Sequence, residues 1–448
     1  MIAKRKTFPG GAHPPESKTL TERKGIEALP LPKEVFIPVQ QHLGAPAKVV
    51  VNKGDIVKIG QVLAEASAYV SVPTHASISG KVKSVDNYPH PFGIPVMSVQ
   101  IEGDGTETWD ETCLKERDYR SLSSDEIRNI IRDSGLAGMG GAAFPTHVKL
   151  NPPKEKPIDT VILNGAECEP YLTADHVLMR ERGKEILEGL RIFMHVLGCK
   201  QGFIGIEANK EDAAKFLKSL IKPADNIEVI VLPVKYPQGA EKQLIYAIKR
   251  RKVPAGGLPM DVGCLVQNVG TAVAAYNAVV RGIPFISRVV TVTGRSLQKP
   301  SNIQSPLGTP IRDLVDFCGG LPEGTSMILM GGPMMGMAQY NLDAPVIKGT
   351  SGLLILGKDE IGRWKMRPCI GCGRCVQGCP MNLMPNLIGM YVEYGKFEWA
   401  SKMHVLDCIE CGTCSYVCPS GRNLVHLVKF GKFKILQEKK KSIKAMES

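Results

Sequence analysis

The sequence predicts a multidomain chain: a small all-β unit, a doubly wound α/β core, a compact α+β unit and a helical domain of the ferredoxin kind. Three observations predict that order. Short apolar runs broken by turn residues fill residues 35–102, patterns of buried strands and amphipathic helices alternate from about 118 to 284, and the spacing C-x2-C-x2-C-x3-C-P occurs twice between 369 and 419. A length of 448 residues and a hydrophobic content of 43% leave ample material for several cores.

Residues 1–34 are rich in Pro and Gly and read as an extended arm with little structure of its own. The start, Met1–Pro9, is basic but has no apolar stretch behind it, so it does not read as a signal peptide. Residues 35–105 form the β unit, with runs at Val35–Val39, Ala47–Val51 and Val96–Ile101 and a turn at Lys53-Gly54-Asp55. The phrase from Val51 to Ala64 resembles the hammerhead of biotinyl and lipoyl carrier domains. The matching tip, Ser71 to Ser77, has no Lys, which implies the fold without a swinging arm.

Residues 118–284 form the α/β core. Ser123 and Glu126 are placed as a capping box for a helix over 122–134, with Ile127, Ile130 and Ile131 on one face. A glycine-rich run follows, with Gly138, Gly140, Gly141, Phe144 and then Lys149; bare backbone there allows close approach of a flat or phosphorylated ligand, although a tight loop would look the same. Strands are predicted at Asp159–Asn164, Gly202–Glu207 and Ile227–Leu232, and helices at Ala174–Leu197 and Lys210–Ile221. Ligands of such sheets sit beyond the carboxyl ends of the strands. The loop after Asn164 carries Glu167, Cys168 and Glu169, so the two acids are candidates for ribose or nicotinamide contacts. Tyr236 and Gly239 follow the next strand, and Asn268 to Thr271 open an Ala-rich helix whose N-terminus suits a phosphate or carbonyl group.

Residues 285–350 read as an α+β unit, with strands at Arg288–Thr293 and Met327–Met330 and a helix at Pro310–Cys318. Met334 and Met335 in the following Gly-rich loop are expected in its core. Residues 358–430 hold the cysteine repeats, with helices at Met384–Tyr394 and Phe397–Val405 between them.

In such repeats the fourth Cys of each run ligates the other cluster. One [4Fe–4S] cluster is therefore assigned to Cys369, Cys372, Cys375 and Cys418, and the second to Cys408, Cys411, Cys414 and Cys379. Zinc knuckles pair two C-x2-C units rather than two runs of four. A disulfide framework needs a secretory context that nothing in the sequence suggests. The other five of the 13 Cys are scattered; all but Cys168 are expected to be buried core thiols.

The formal net charge of +12 suits an acidic redox partner, a cofactor phosphate or an anionic membrane surface. No aromatic platform accompanies the lysines, so nucleic acid is not an expected partner. The tail, 431–448, is densely basic, and with Lys429 the lysines are 432, 434, 439, 440, 441 and 444. It reads equally as a solvated helix end or as a contact with membrane or partner. No apolar run reaches the roughly 18 residues of a spanning helix.

Three segments in one order carry a resemblance. Gly141-Ala-Ala-Phe144-Pro-Thr with Lys149, then Asn164 with Glu167-Cys-Glu169-Pro, then Asn268-Val-Gly-Thr271 resemble the flavin- and NADH-binding subunit of respiratory complex I. The arm, the carrier-like β domain and the paired cysteine repeats added to these resemble the RnfC family of Rnf electron-transport complexes, over almost the whole chain. That resemblance implies a barrel-sandwich β domain, an FMN- and NADH-binding core, a β-grasp (SLBB) unit and a helical domain with two clusters. It implies FMN against Gly138, Gly140, Gly141, Lys149, Asn164, Glu167, Tyr236, Gly239, Asn268 and Thr271, and NADH against Phe144 and Glu169. His147 and Gly270 depart from the complex I pattern, as does the lack of an aromatic near Leu258.

The implied activity is exchange of hydride between NAD(H) and FMN, with Glu167 and Glu169 orienting the reactants and the clusters carrying single electrons. The implied setting is the cytoplasmic side of the cell membrane, peripheral, with the membrane subunits of the Rnf complex as partners. Ferredoxin would be met indirectly, through a partner subunit. Two rival readings are a cobalamin reductase built on the same core and a non-catalytic iron–sulfur relay.

Overall fold

A computed structural model describes residues 6–362 and 365–447. The side chain of Lys444 and residues 1–5 of the arm lie outside the described residues.

The β unit is built on two antiparallel sheets. One runs in the order Glu34–Pro38, Val96–Gly103, Gly80–Tyr88 and Ile56–Val57, the other in the order Lys48–Val49, Val62–Glu65 and Thr74–His75. Alternation puts Val35, Ile37, Val82, Val99 and Ile101 inside.

The α/β core has a four-stranded, all-parallel sheet ordered Ile227–Leu232, Gln201–Glu207, Thr160–Gly165 and Cys264–Asn268. Its strands are almost continuously apolar because helices cover both faces. The expected long helix is two, Ala174–Glu181 and Gly183–Leu197, meeting at Arg182. The capping box of Ser123 and Glu126 forms at the helix Ser124–Asp133. The first strand, Thr160–Gly165, lies between the second and the last, so the strand order reverses beside it. Asn164 and Asn268 are register partners at the carboxyl ends of those two strands. That crevice is where an open α/β sheet takes its ligand.

The α+β unit is a six-stranded mixed sheet, and it corrects two expected boundaries. Its strand Gly352–Gly357 lies past residue 350, between Ser287–Thr293 and Thr325–Met330. The arm supplies a further strand, Ile26–Ala28, paired in parallel with Ser301–Pro306, so the arm is not without structure. The loop methionines are also corrected: Met335 is 49% exposed and belongs to no core.

In the cysteine-rich domain the helix Leu424–Glu447 runs unbroken through the expected domain boundary at 430, so the basic tail is the end of a domain helix.

Candidate functional site

The site is built where loops from three domains meet over the crevice. The glycine run forms a tight loop closed by a hydrogen bond from Gly138 N–H to the Phe144 carbonyl. Gly140 has φ +75°, and a Cβ there would lie 3.0 Å from Asn268 Nδ2. Nothing lies within 4 Å of a Cβ built on Gly141, so the tip offers open backbone. Thr271, fully buried, accepts from Met139 N–H at 2.9 Å and holds this loop from beneath.

The two asparagines have different tasks. Asn164 donates to the Gly239 carbonyl at 2.8 Å and accepts from Ala166 N–H at 3.1 Å, joining two of the predicted loops. Asn268 caps the helix Val269–Val279 by accepting from Gly270 N–H and donates to Asp175 at 2.7 Å. Asp175 was not singled out from sequence. Burial, with Glu167 beside it, raises its pKa above the usual carboxylate range.

Neither acid is free. Glu167, at φ +44°, accepts from Asp175 N–H at 2.7 Å and His176 N–H at 3.2 Å. Its carboxylate therefore caps the helix Ala174–Glu181, in place of the expected contact with reactants. Glu169 accepts from Met334 N–H at 3.1 Å and from the Tyr236 hydroxyl at 3.4 Å. Burial pushes its pKa up to about 7. Lys149 donates to Glu241 and to the Val266 carbonyl, both at 2.7 Å, so a phosphate there competes with Glu241.

Two buried lysines support the acid loop from below, and sequence reasoning missed both. Lys18, from the arm, donates to the carbonyls of Glu167, Glu169 and Leu172 at 2.9, 2.8 and 2.5 Å. Burial lowers its pKa to about 8. Lys210 donates to the Ala166 carbonyl at 2.7 Å. A lysine in a Pro-rich arm carries no local signal of such burial.

The departures from the complex I pattern have structural causes. His147 donates or accepts at the Tyr69 carbonyl, 3.0 Å away, so it docks the β unit. A Cβ on Gly270 would lie 2.9 Å from Met139 Sδ, too close for a side chain. Leu258 is 54% exposed with no ring partner among the described residues.

The cysteine repeats sit directly against this site. Tyr236, 2% exposed, donates its hydroxyl to the Cys411 carbonyl at 2.7 Å. A Cβ on Gly412 would meet the Met334 carbonyl at 2.7 Å, which shows how closely the α+β loop packs there. The arm threads the same junction: Gly11 N–H donates to the Gly378 carbonyl, and Ala12 exchanges two hydrogen bonds with Tyr236. Gly373 and Gly412, at φ +71° and +78°, turn the chain inside each repeat.

The donor set fits two clusters. An apolar cavity is lined by Cys379, Cys408, Cys411 and Cys414 together, the four thiols of one expected cluster. Electrostatic neighbours group the same way, Cys414 with Cys408, Cys411 and Cys379, and Cys375 with Cys418. Among the described residues no three His, Cys, Asp or Glu converge on one point as a single ion requires; a cubane takes each thiolate at a different iron. Cys379, Cys411 and Cys414 are buried, whereas Cys369 and Cys372 are exposed. The flavin region also fits its group: the open backbone at Gly141 leaves room, and the buried amides of Gln238 and Gln267 keep unpartnered nitrogens among the described residues. A separate open cavity at Lys200, Phe203 and Lys222 lies at the amino ends of the strands, away from this chemistry.

Comparison with known proteins matches these parts in order. Models of the RnfC barrel sandwich hybrid domain, the Nuo51 FMN-binding domain, the SLBB domain and a 4Fe-4S dicluster domain match residues 6–106, 131–277, 289–338 and 361–424. The RnfC subunit of the proton-translocating ferredoxin:NAD(+) oxidoreductase complex of Clostridium ljungdahlii is 47% identical over 95% of this chain and 93% of its own. The chain belongs to the RnfC family. The counterpart in the Na(+)-translocating complex of Acetobacterium woodii is 44% identical over 98% of this chain and 100% of its own. An RnfC relative from an ion-translocating oxidoreductase complex of Rhodobacter capsulatus is 40% identical over 95% of this chain and 82% of its own. Among the described residues no helix is long and apolar enough to cross a membrane.

Proposed function

We propose that this RnfC chain is the nucleotide-handling subunit of a membrane-bound, ion-translocating ferredoxin:NAD oxidoreductase. It exchanges hydride between NAD(H) and FMN and relays single electrons through two [4Fe–4S] clusters. The observation that carries this reading is the junction: the strand-end crevice and the buried cysteine group share one hydrogen bond, Tyr236 to the Cys411 carbonyl.

FMN, when bound, takes the two electrons of a hydride and passes them on singly, which iron–sulfur clusters require. The chain's residues set the stage. The bare backbone of Gly138, Gly140 and Gly141 admits the ring system. Asn164, Gly239, Asn268 and Thr271 fix the surrounding loops, and Lys149 turns from Glu241 to the phosphate. Phe144 and Glu169 lie towards the nicotinamide nucleotide, while Glu167 orients the acid loop through the helix it caps. Lys18 and Lys210 place positive charge under that loop, favouring a reduced, more negative ligand.

The buried thiol group next to Tyr236 receives electrons first. The group with exposed Cys369 and Cys372 faces the partner subunits. The chain sits peripherally, on the cytoplasmic side, against membrane subunits of the complex, and meets ferredoxin only through one of them.

The test is anaerobic mixing with NADH after reconstitution with FMN, iron and sulfide, reading flavin and cluster absorbance. Flavin bleaching followed by cluster bleaching is expected, and Lys149→Ala should retain less FMN. Full clusters with no FMN binding and no reduction would leave the chain a relay.

A further inference from the structure

The helix Leu424–Glu447 has two unlike faces. Leu424, Val425, Val428 and Ile435 are buried, and a Cβ on Gly431 would lie 2.6 Å from Val392, so one face packs tightly on the helix Pro385–Glu393. On the opposite face Phe430, Phe433 and Leu436 are 47%, 60% and 46% exposed. They recur every three residues, which keeps them on adjoining turns of one side. Lys429, Lys439, Lys440 and Lys441 are exposed around and beyond them, and Lys434 is half-buried with its ammonium 5.5 Å over the Phe430 ring. Glu438 is the one exposed acid from 424 to 442.

Bulky apolar side chains interleaved with lysines on one helix face suit the boundary between lipid headgroups and acyl chains. The rings enter the apolar layer while the long lysine stems keep their charge among the headgroups. An acidic protein groove would satisfy the lysines but leaves unexplained why Phe433 and Leu436 stand out alongside them. Anionic lipid satisfies both at once, because its surface attracts each lysine and its interior accepts the apolar groups.

We infer that this outer face, Phe430, Phe433 and Leu436 with Lys429, Lys434 and Lys439–Lys441, docks the iron–sulfur domain directly on an anionic bilayer surface. This deepens the peripheral membrane placement proposed above and rests on it. The helix starts just beyond Cys418, so the contact sets the distance of the exposed thiol group from the membrane. The chain is then held by lipid as well as by its partner subunits.

The test uses the full, reconstituted chain alone, without partner subunits, floated with vesicles. Flotation with vesicles containing phosphatidylglycerol is expected, with little on pure phosphatidylcholine and release at high salt. Phe433→Ser with Leu436→Ser should weaken partition about tenfold, at unchanged iron content. Should that variant lose iron, Lys439→Glu with Lys440→Glu and Lys441→Glu decides by the same loss of flotation. Equal flotation of both variants and the parent chain overturns the inference, as does binding only to membranes that contain partner subunits. NADH reduction of the same preparation reports separately on the proposed activity.

Discussion

Substitution of Gly10 by Ala tests whether the arm locks the cysteine domain to the nucleotide core. Gly10 has φ +72°, and a Cβ there would lie 2.6 Å from the Cys379 carbonyl oxygen and 2.8 Å from its carbon. Both are backbone atoms of a loop carrying a cluster ligand, so they cannot rotate aside as a side chain would. Gly395, in the same cysteine-rich domain, has φ +67° but nothing within 4 Å of its Cβ position. The left-handed conformation costs an L-residue about 1–2 kcal/mol at either site. At Gly10 the collision adds roughly 1–3 kcal/mol, the usual cost of forcing atoms into a packed space. Gly10→Ala should therefore lose about 2–5 kcal/mol and Gly395→Ala about 1–2. The assay is denaturant unfolding read at cluster absorbance, with iron counted before and after. Gly10→Ala should also slow cluster reduction relative to flavin reduction, because the arm that separates would loosen Tyr236. Equal losses in the two variants, with equal electron transfer, would refute the reasoning.

Three further outcomes are expected. Tyr236→Phe removes the hydroxyl on the Cys411 carbonyl, costing about 1 kcal/mol; iron should stay bound while the cluster is reduced more slowly by NADH, read by stopped flow. Lys18→Met leaves three carbonyls of the acid loop without their donor, at a cost of about 2–4 kcal/mol, and should weaken FMN retention measured by equilibrium dialysis. The interdomain contact near Gly135 should show a pH signature from two groups whose charged forms burial disfavours. His75 is held down to about 3 from 6.5, so the unfolded chain takes up a proton first and stability falls as pH drops from about 6.5 to about 3. Lys348 is lowered to about 7 from 10.5, so the unfolded chain keeps its proton longer and stability rises from pH about 7 to about 10.5. His75→Asn should flatten the acid limb and Lys348→Met the alkaline one, measured by thermal melts across pH.

Much of this was legible in the sequence because it is written locally. Ser123 and Glu126 cap their helix from three residues apart, and the cysteine spacing alone groups the thiols that line one cavity. The crevice was legible because loops after predicted strands must gather at one sheet edge. What the sequence hid depends on contacts between distant segments. Glu167 looked like a reacting acid, but a helix N-terminus eight residues on takes its carboxylate. Lys18 lies 149 residues before the first carbonyl it serves, in a segment whose composition suggested no burial. The strand Ile26–Ala28 is too short to signal itself and forms only because Ser301–Pro306 offers an edge. The tail looked separate because lysines begin to dominate there, yet Ile435 is buried at 5% exposure and the helix does not break.

The most direct test of the central claim follows electrons through the two thiol groups in order. Cys372→Ser removes a ligand of the exposed group and Cys411→Ser one of the buried group, and each reconstituted variant is mixed anaerobically with NADH and frozen for electron paramagnetic resonance. With Cys372→Ser the remaining buried cluster should be reduced as fast as in the parent chain. With Cys411→Ser the exposed cluster should stay oxidised although the flavin is bleached. Rapid reduction of the exposed cluster in Cys411→Ser would contradict a wire that starts at Tyr236.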